Sequence, residues 1–126
     1  MSDPFRLDGK RAVVTGAGKG IGRGISLQLA RAGADLVISS RTQEDLDSLA
    51  IEIEALGRQA TKVVVDVTNT TEVEDLAAQA VAGGGIDVWV NNAGGLPDAT
   101  PRYLTRTPED RWDAQLDLNL KAVFIA

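Results

Sequence analysis

Two periods of apolar and polar positions alternate along this chain, and each switch between them marks a predicted element. After a lead-in of residues 1–9, the apolar run Arg11-Ala12-Val13-Val14-Thr15-Gly16 predicts a buried strand. From Ile21 the period lengthens: Ile21, Ile25 and Leu29 recur at helical spacing as far as Ala32, and Gly33 predicts the stop. Asp35-Leu36-Val37-Ile38-Ser39-Ser40 predicts a second strand. Thr42 suits a helix cap, with Asp45 in the first turn, a buried stripe of Leu46, Leu49, Ile53 and Leu56, and an end at Gly57. A third strand is expected over residues 60–66, centred on Val63-Val64-Val65.

Thr71-x-x-Glu74 has the form of a capping box, opening a helix that carries Val73, Leu76, Ala77, Ala80 and Val81 until glycines 83–85 break it. Residues 86–91 predict a fourth strand, and residues 94–106 a long loop. Thr107-Pro108-Glu109-Asp110 then signals a last helix, capped by threonine, with Trp112, Leu116, Leu120, Val123 and Phe124 as its apolar face. Strands alternating with helices predict an α/β fold, a parallel sheet covered on both faces. No internal boundary divides the chain, so residues 1–126 form part of one domain.

Composition narrows the chemistry. The 126 residues suffice for one core, and 44% hydrophobic with 25% charged residues is ordinary for a globular protein. The formal net charge of −5 gives no basic footprint for nucleic acid, so none is expected as a partner. Cysteine and histidine are both absent, which removes disulfides, thiolate nucleophiles, imidazole acid/base chemistry and nearly all transition-metal sites; no metal is expected. No run approaches a membrane span, and the polar N-terminus has no signal-peptide core, so the expected location is the cytoplasm and no membrane partner is expected.

One segment invites a ligand. Gly16-Ala17-Gly18-Lys19-Gly20-Ile21-Gly22 joins a predicted strand to a predicted helix. The first N–H groups of a helix lack intrahelical partners, and the helix dipole places partial positive charge beside them. Glycine lets a pyrophosphate approach the backbone, and Gly22 lets helix and strand pack closely. A bare glycine-rich connection is the competing reading; the strand before and amphipathic helix after favour dinucleotide binding.

Four motifs in order resemble one family. Thr15-Gly16-Ala17-Gly18-Lys19-Gly20-Ile21-Gly22 resembles the Thr-Gly-x-x-x-Gly-x-Gly signature of the short-chain dehydrogenase/reductases. Asn91-Asn92-Ala93-Gly94 resembles that family's second signature, Asp66-Val67 its adenine-contacting pair, and Asn119 its catalytic-helix asparagine. The resemblance implies a Rossmann-like doubly wound parallel sheet, strand order 3-2-1-4, cut short after the fourth strand and its following helix. It also implies an oxidoreductase that moves a hydride between a nicotinamide cofactor and a small-molecule carbonyl or secondary alcohol.

The same resemblance distributes roles. Gly16, Gly18, Gly20, Ile21 and Gly22 would hold the pyrophosphate, and Asn92, Ala93 and Gly94 would bring backbone close to ribose and nicotinamide. Asp66 would accept the adenine amino group beside Val67, or else cap the next turn. Asn119 would hold a water in the proton relay, or else be satisfied within a helical bend. No acid ends the second strand, where it would select NAD(H) through a ribose 2′-hydroxyl. Ser40 and Arg41 stand there instead, with Lys19 nearby by analogy; they favour the 2′-phosphate of NADP(H), with NAD(H) left open. Solvated surface charge is the plainer reading of both cations.

The family's chemistry also needs a serine, a tyrosine and a lysine four positions after it. The single tyrosine, Tyr103, is followed at that spacing by Thr107. The 126-residue chain is therefore expected to be inactive by the family mechanism. Three readings stay open: part of a longer enzyme, a non-catalytic dinucleotide-binding module, or a ligand-free structural piece. The last helix resembles the one that forms the family's main dimer interface, and its apolar end fits that role, so the resemblance implies a homo-oligomer in the full-length protein. The absent aromatic residue at glycines 83–85 leaves the packing of the preceding helix unexplained, and Trp89 is large for its strand position.

Overall fold

The computed structural model describes residues 3–95, 100 and 103–126. Four parallel strands form one sheet in the order β3-β2-β1-β4: β1 is Arg11–Val14, β2 Asp35–Ser40, β3 Ala60–Val64 and β4 Val88–Val90. Val13 stands in register with Val37 on one side and Trp89 on the other, so β1 is the centre of the sheet. The order places a switch point between β1 and β4, beyond the strand ends where open α/β sheets collect ligands.

Side-chain alternation divides the core in two. Ala12, Val14, Leu36 and Ile38 face helices α1 (Gly20–Arg31) and α2 (Gln43–Ala55), where Ala30, Leu46, Leu49 and Ile53 complete the layer. Val13, Val37 and Val63 face the other way, onto Val73, Leu76 and Ala80 of α3 (Thr70–Ala82) and onto Ala122 of the last helix. The sheet is thus doubly wound, as expected. β3 is one of its two edges, and Val64, expected at the middle of a buried run, is exposed there.

Several expected boundaries move for local reasons. Asn69, not Thr71, caps α3: its Oδ1 accepts the Glu72 N–H at 3.1 Å, and the helix starts at Thr70. The Thr71–Glu74 pair lies inside the helix already begun. Leu56 is the C-cap of α2 and 41% exposed, because the buried face of Leu46, Leu49, Ala50 and Ile53 ends at Ile53, one turn earlier. Val81 is likewise exposed, while Ala80 takes the core position. Glycines 83–85 are held by Arg11, whose Nη1 donates to the carbonyls of Ala80 and Gly85. A guanidinium on the central strand thereby caps the C-terminus of α3.

The last helix differs most. A 3₁₀ turn at Leu104–Arg106 precedes α4, Glu109–Leu116, whose cap is Pro108; the Thr107 hydroxyl instead donates to the Tyr103 carbonyl at 3.1 Å. α4 runs into a π-helical turn, Asp117–Lys121, and a final turn, Ala122–Ile125. The expected face of Trp112, Leu116, Leu120, Val123 and Phe124 is exposed. Leu118, Ala122 and Ile125 pack on the sheet instead. Both sets fit helical spacing, and the sheet takes the narrower one. The middle of the expected loop, residues 96–99 and 101–102, lies outside the described residues.

Candidate cofactor-binding cleft

A cleft of about 680 Å³ opens beyond the C-terminal ends of the strands, lined by the glycine turn, the β2–α2 turn, the segment after β3, the segment after β4, and α4 with the π-turn. Its residues include Gly16, Gly18, Lys19, Ser40, Arg41, Asp66, Val67, Asn92, Ala93 and Gly94, ten of the residues expected at a cofactor.

Local hydrogen bonds set this shape. Thr15 follows β1 directly, and its buried hydroxyl accepts the N–H groups of Asn92 and Ala93, both at 3.1 Å. The Asn92 side chain returns the link, donating Nδ2 to the Gly16 carbonyl at 3.1 Å. The glycine turn and the β4 loop are therefore fastened together before any ligand arrives. Thr15 belongs to the glycine motif, yet nothing in the sequence alone marks its hydroxyl as this fastener.

The glycines answer to clearance. Gly16 has φ +62°, and a Cβ there would stand 2.8 Å from the Ala93 Cα. A Cβ on Gly18 would lie 2.8 Å from the Asp45 Cβ and 2.9 Å from the Ser40 Oγ. At Gly22 it would overlap the Gly16 carbonyl oxygen and the Asn92 amide. Such a backbone-walled turn at a helix start fits an anionic pyrophosphate. Gly20, Ile21 and Gly22 do not line the cleft: Gly22 packs behind the turn, and Ile21 is 77% exposed on the first turn of α1.

At the β2 end, Ser40 Oγ accepts the Thr42 N–H at 3.0 Å and so shapes the turn that carries Arg41. Arg41 is exposed and forms no ion pair among the described residues. Lys19 caps α1 and lies 3.6 Å from Asp45, an acid of the first turn of α2. Nothing in the sequence alone places Asp45 in the cleft.

Asp66 accepts the Thr68 backbone N–H at 2.9 Å and the Thr68 hydroxyl at 2.6 Å, both on Oδ1. These bonds, aided by the charge of Arg41, hold its carboxyl below the ordinary carboxylate pKa. Asp66 thus caps the turn after β3 while also lining the cleft. Asn119 stands just outside, in the π-turn. Its Oδ1 accepts the Gly95 N–H at 3.0 Å, and its Nδ2 donates to the Gly95 carbonyl at 2.9 Å and to Gln115. Asp117 and Leu118, its neighbours in that turn, line the cleft. Among the described residues no helix is long and apolar enough to cross a membrane, and no acidic group is arranged to hold a metal.

Comparison with known proteins points the same way. The short chain dehydrogenase family model matches residues 10–126. The chain is 46% identical over 113 residues to an uncharacterised oxidoreductase of Mycobacterium tuberculosis, covering 89% of this chain and 42% of that protein. It is 40% identical over 121 residues to the 3-oxoacyl-[acyl-carrier-protein] reductase of Thermotoga maritima, covering 95% and 48%. Carveol dehydrogenase from Mycobacterium avium, solved with NAD, superposes with a TM-score of 0.90 at 29% identity, over 96% of this chain and 48% of that one. L-Sorbose reductase from Gluconobacter frateurii, solved with NADPH and L-sorbose, gives 0.88 at 28% identity, over 96% and 46%. The chain spans about half the length of the curated relatives it matches. Built on a doubly wound sheet with a glycine turn at its switch point, this chain belongs to the short-chain dehydrogenase family.

Proposed function

We propose that this chain forms the dinucleotide-binding part of an NADP(H)-dependent oxidoreductase acting on a small carbonyl compound or secondary alcohol. The carrying observation is that one cleft gathers the glycine turn, the Ser40–Arg41 corner and the Asn92–Gly94 segment. Gly16 and Gly18 with the start of α1 hold the pyrophosphate. Arg41, with Lys19 and Ser40, takes the 2′-phosphate by charge-assisted hydrogen bonds. Asp66 and Val67 border the adenine, and Asn92 to Gly94 border the nicotinamide end. When bound, the nicotinamide supplies the hydride-transfer chemistry itself. Asn119 acts as a positioning residue by fixing Gly95 beside the nicotinamide end, and an ordered water on it serves the proton relay. By itself the 126-residue chain is inactive, since the serine and the Tyr-x-x-x-Lys pair of the family are not among its residues. In the longer protein the exposed apolar side of the last helix joins a second copy.

Titration of the chain with NADPH and NADH, read by quenching of Trp89 and Trp112, tests this reading. Wild type binds NADPH more tightly than NADH. Arg41→Ala weakens NADPH by roughly tenfold to a hundredfold, the worth of one or two hydrogen bonds to a charged group, and changes NADH by less than about twofold. Equal binding of the two, or an equal loss in both, overturns the NADP(H) assignment. The competing reading is a non-catalytic dinucleotide-binding module. NADPH oxidation with a carbonyl acceptor by the full-length protein excludes it.

A further inference from the structure

We propose that Asp45 is a specificity-determining residue: its carboxylate opposes a phosphate on the ribose 2′ position and competes with it for Lys19, so it limits the preference for NADP(H). This rests on the reading of Ser40, Arg41 and Lys19 as the 2′-phosphate end. Asp45 lines the cleft beside all three. It is pressed against the glycine turn, since a Cβ on Gly18 would meet Asp45 Cβ and Ser40 Oγ within 3 Å. Its side chain is 25% exposed, whereas that of its ion-pair partner Lys19 is 81% exposed. The carboxylate is therefore the enclosed, fixed member of the pair, and the lysine is the one free to leave.

Charge then decides the effect. The cleft is lined by two cations, Lys19 and Arg41, against three carboxylates, Asp45, Asp66 and Asp117. Arg41 already acts on Asp66, helping to keep that carboxylate charged. A 2′-phosphate gains from Lys19 only as far as Lys19 gives up Asp45, and it then meets a bare carboxylate in the same wall. Ligands lacking that phosphate feel neither term.

Adenosine-half ligands separate the two levels of the argument. Binding of 2′,5′-ADP and 5′-AMP to the chain is measured by calorimetry for wild type, Asp45→Asn, Asp45→Ser and Asp47→Asn. Asp47 is the control, being on the same helix but paired with Lys62 and outside the cleft. Asp45→Asn and Asp45→Ser should each tighten 2′,5′-ADP by about three- to tenfold at low salt, with less gain at high salt and under about twofold change for 5′-AMP. No gain, a gain shared by 5′-AMP, or an equal gain in Asp47→Asn overturns the role of Asp45. The wild-type ratio of the two ligands reports separately on the NADP(H) reading. That reading fails if 5′-AMP binds as tightly as 2′,5′-ADP, whatever Asp45→Asn then does.

Discussion

Asn119 grips both polar groups of Gly95, accepting its N–H at 3.0 Å and donating to its carbonyl at 2.9 Å. A π-helical turn thereby controls the loop that leaves β4. Asn119→Ala removes both bonds at an exposed site, so the cost in global stability should be only about 1 kcal/mol. The local effect should be larger, with faster hydrogen exchange at the Gly95 amide and weaker dinucleotide binding. Unchanged exchange at Gly95 would show that the grip does not order the loop.

Two glycines of α1 should respond oppositely to alanine. Gly22→Ala drives a methyl into the Gly16 carbonyl and the Asn92 amide, and should destabilise by about 2 kcal/mol or more while abolishing dinucleotide binding. Gly24→Ala meets open space in the same helix and should stabilise by about 0.5–1 kcal/mol. Denaturant melts of the two variants check both signs.

Asp66 makes stability depend on pH in a defined sense. Its folded pKa lies below the ordinary value, so its contribution is complete above the unfolded pKa of about 4 and is lost as pH falls through the folded one. Thr68→Val deletes the hydroxyl bond to Oδ1 and should raise the Asp66 pKa, moving the start of acid unfolding to higher pH. A carboxyl titration followed by NMR reads the shift directly; a titration matching wild type would refute the assigned cause.

Ser39 Oγ is buried with no hydrogen-bond partner among the described residues. Ser39→Ala removes an unsatisfied hydroxyl at no loss of packing partners beyond one oxygen. It should be neutral or stabilise by up to about 1 kcal/mol in thermal or denaturant melts. A loss of 2 kcal/mol or more would mean that the hydroxyl is satisfied in solution.

The sheet could be foreseen because each strand is a short apolar run and each helix carries one stripe. Helix ends were harder, since neighbouring residues compete for them. Asn69 beats Thr71 because the Asp66–Thr68 turn delivers it to the cap first, and Pro108 displaces Thr107, whose hydroxyl turns back to Tyr103. The last helix carries two apolar stripes, and only the sheet beneath decides that Leu118, Ala122 and Ile125 are the inner one. At the site, glycines and signature asparagines stood out by spacing. Thr15 and Asp45 did not, because their importance lies in contacts 77 and 26 positions away, with Asn92 and Lys19 respectively.

The Thr15 hydroxyl fixes the spacing between the glycine turn and the β4 loop, two walls of the cleft. Two amides of one wall end on a single oxygen of the other, so the gap between them is set when the sheet folds. A dinucleotide entering it need not do the work of prising the walls apart or drawing them together. Selectivity among nucleotides then rests on what each one presents to fixed walls, and a Thr15→Val change should loosen discrimination and fit together, in ligands with and without the 2′-phosphate alike.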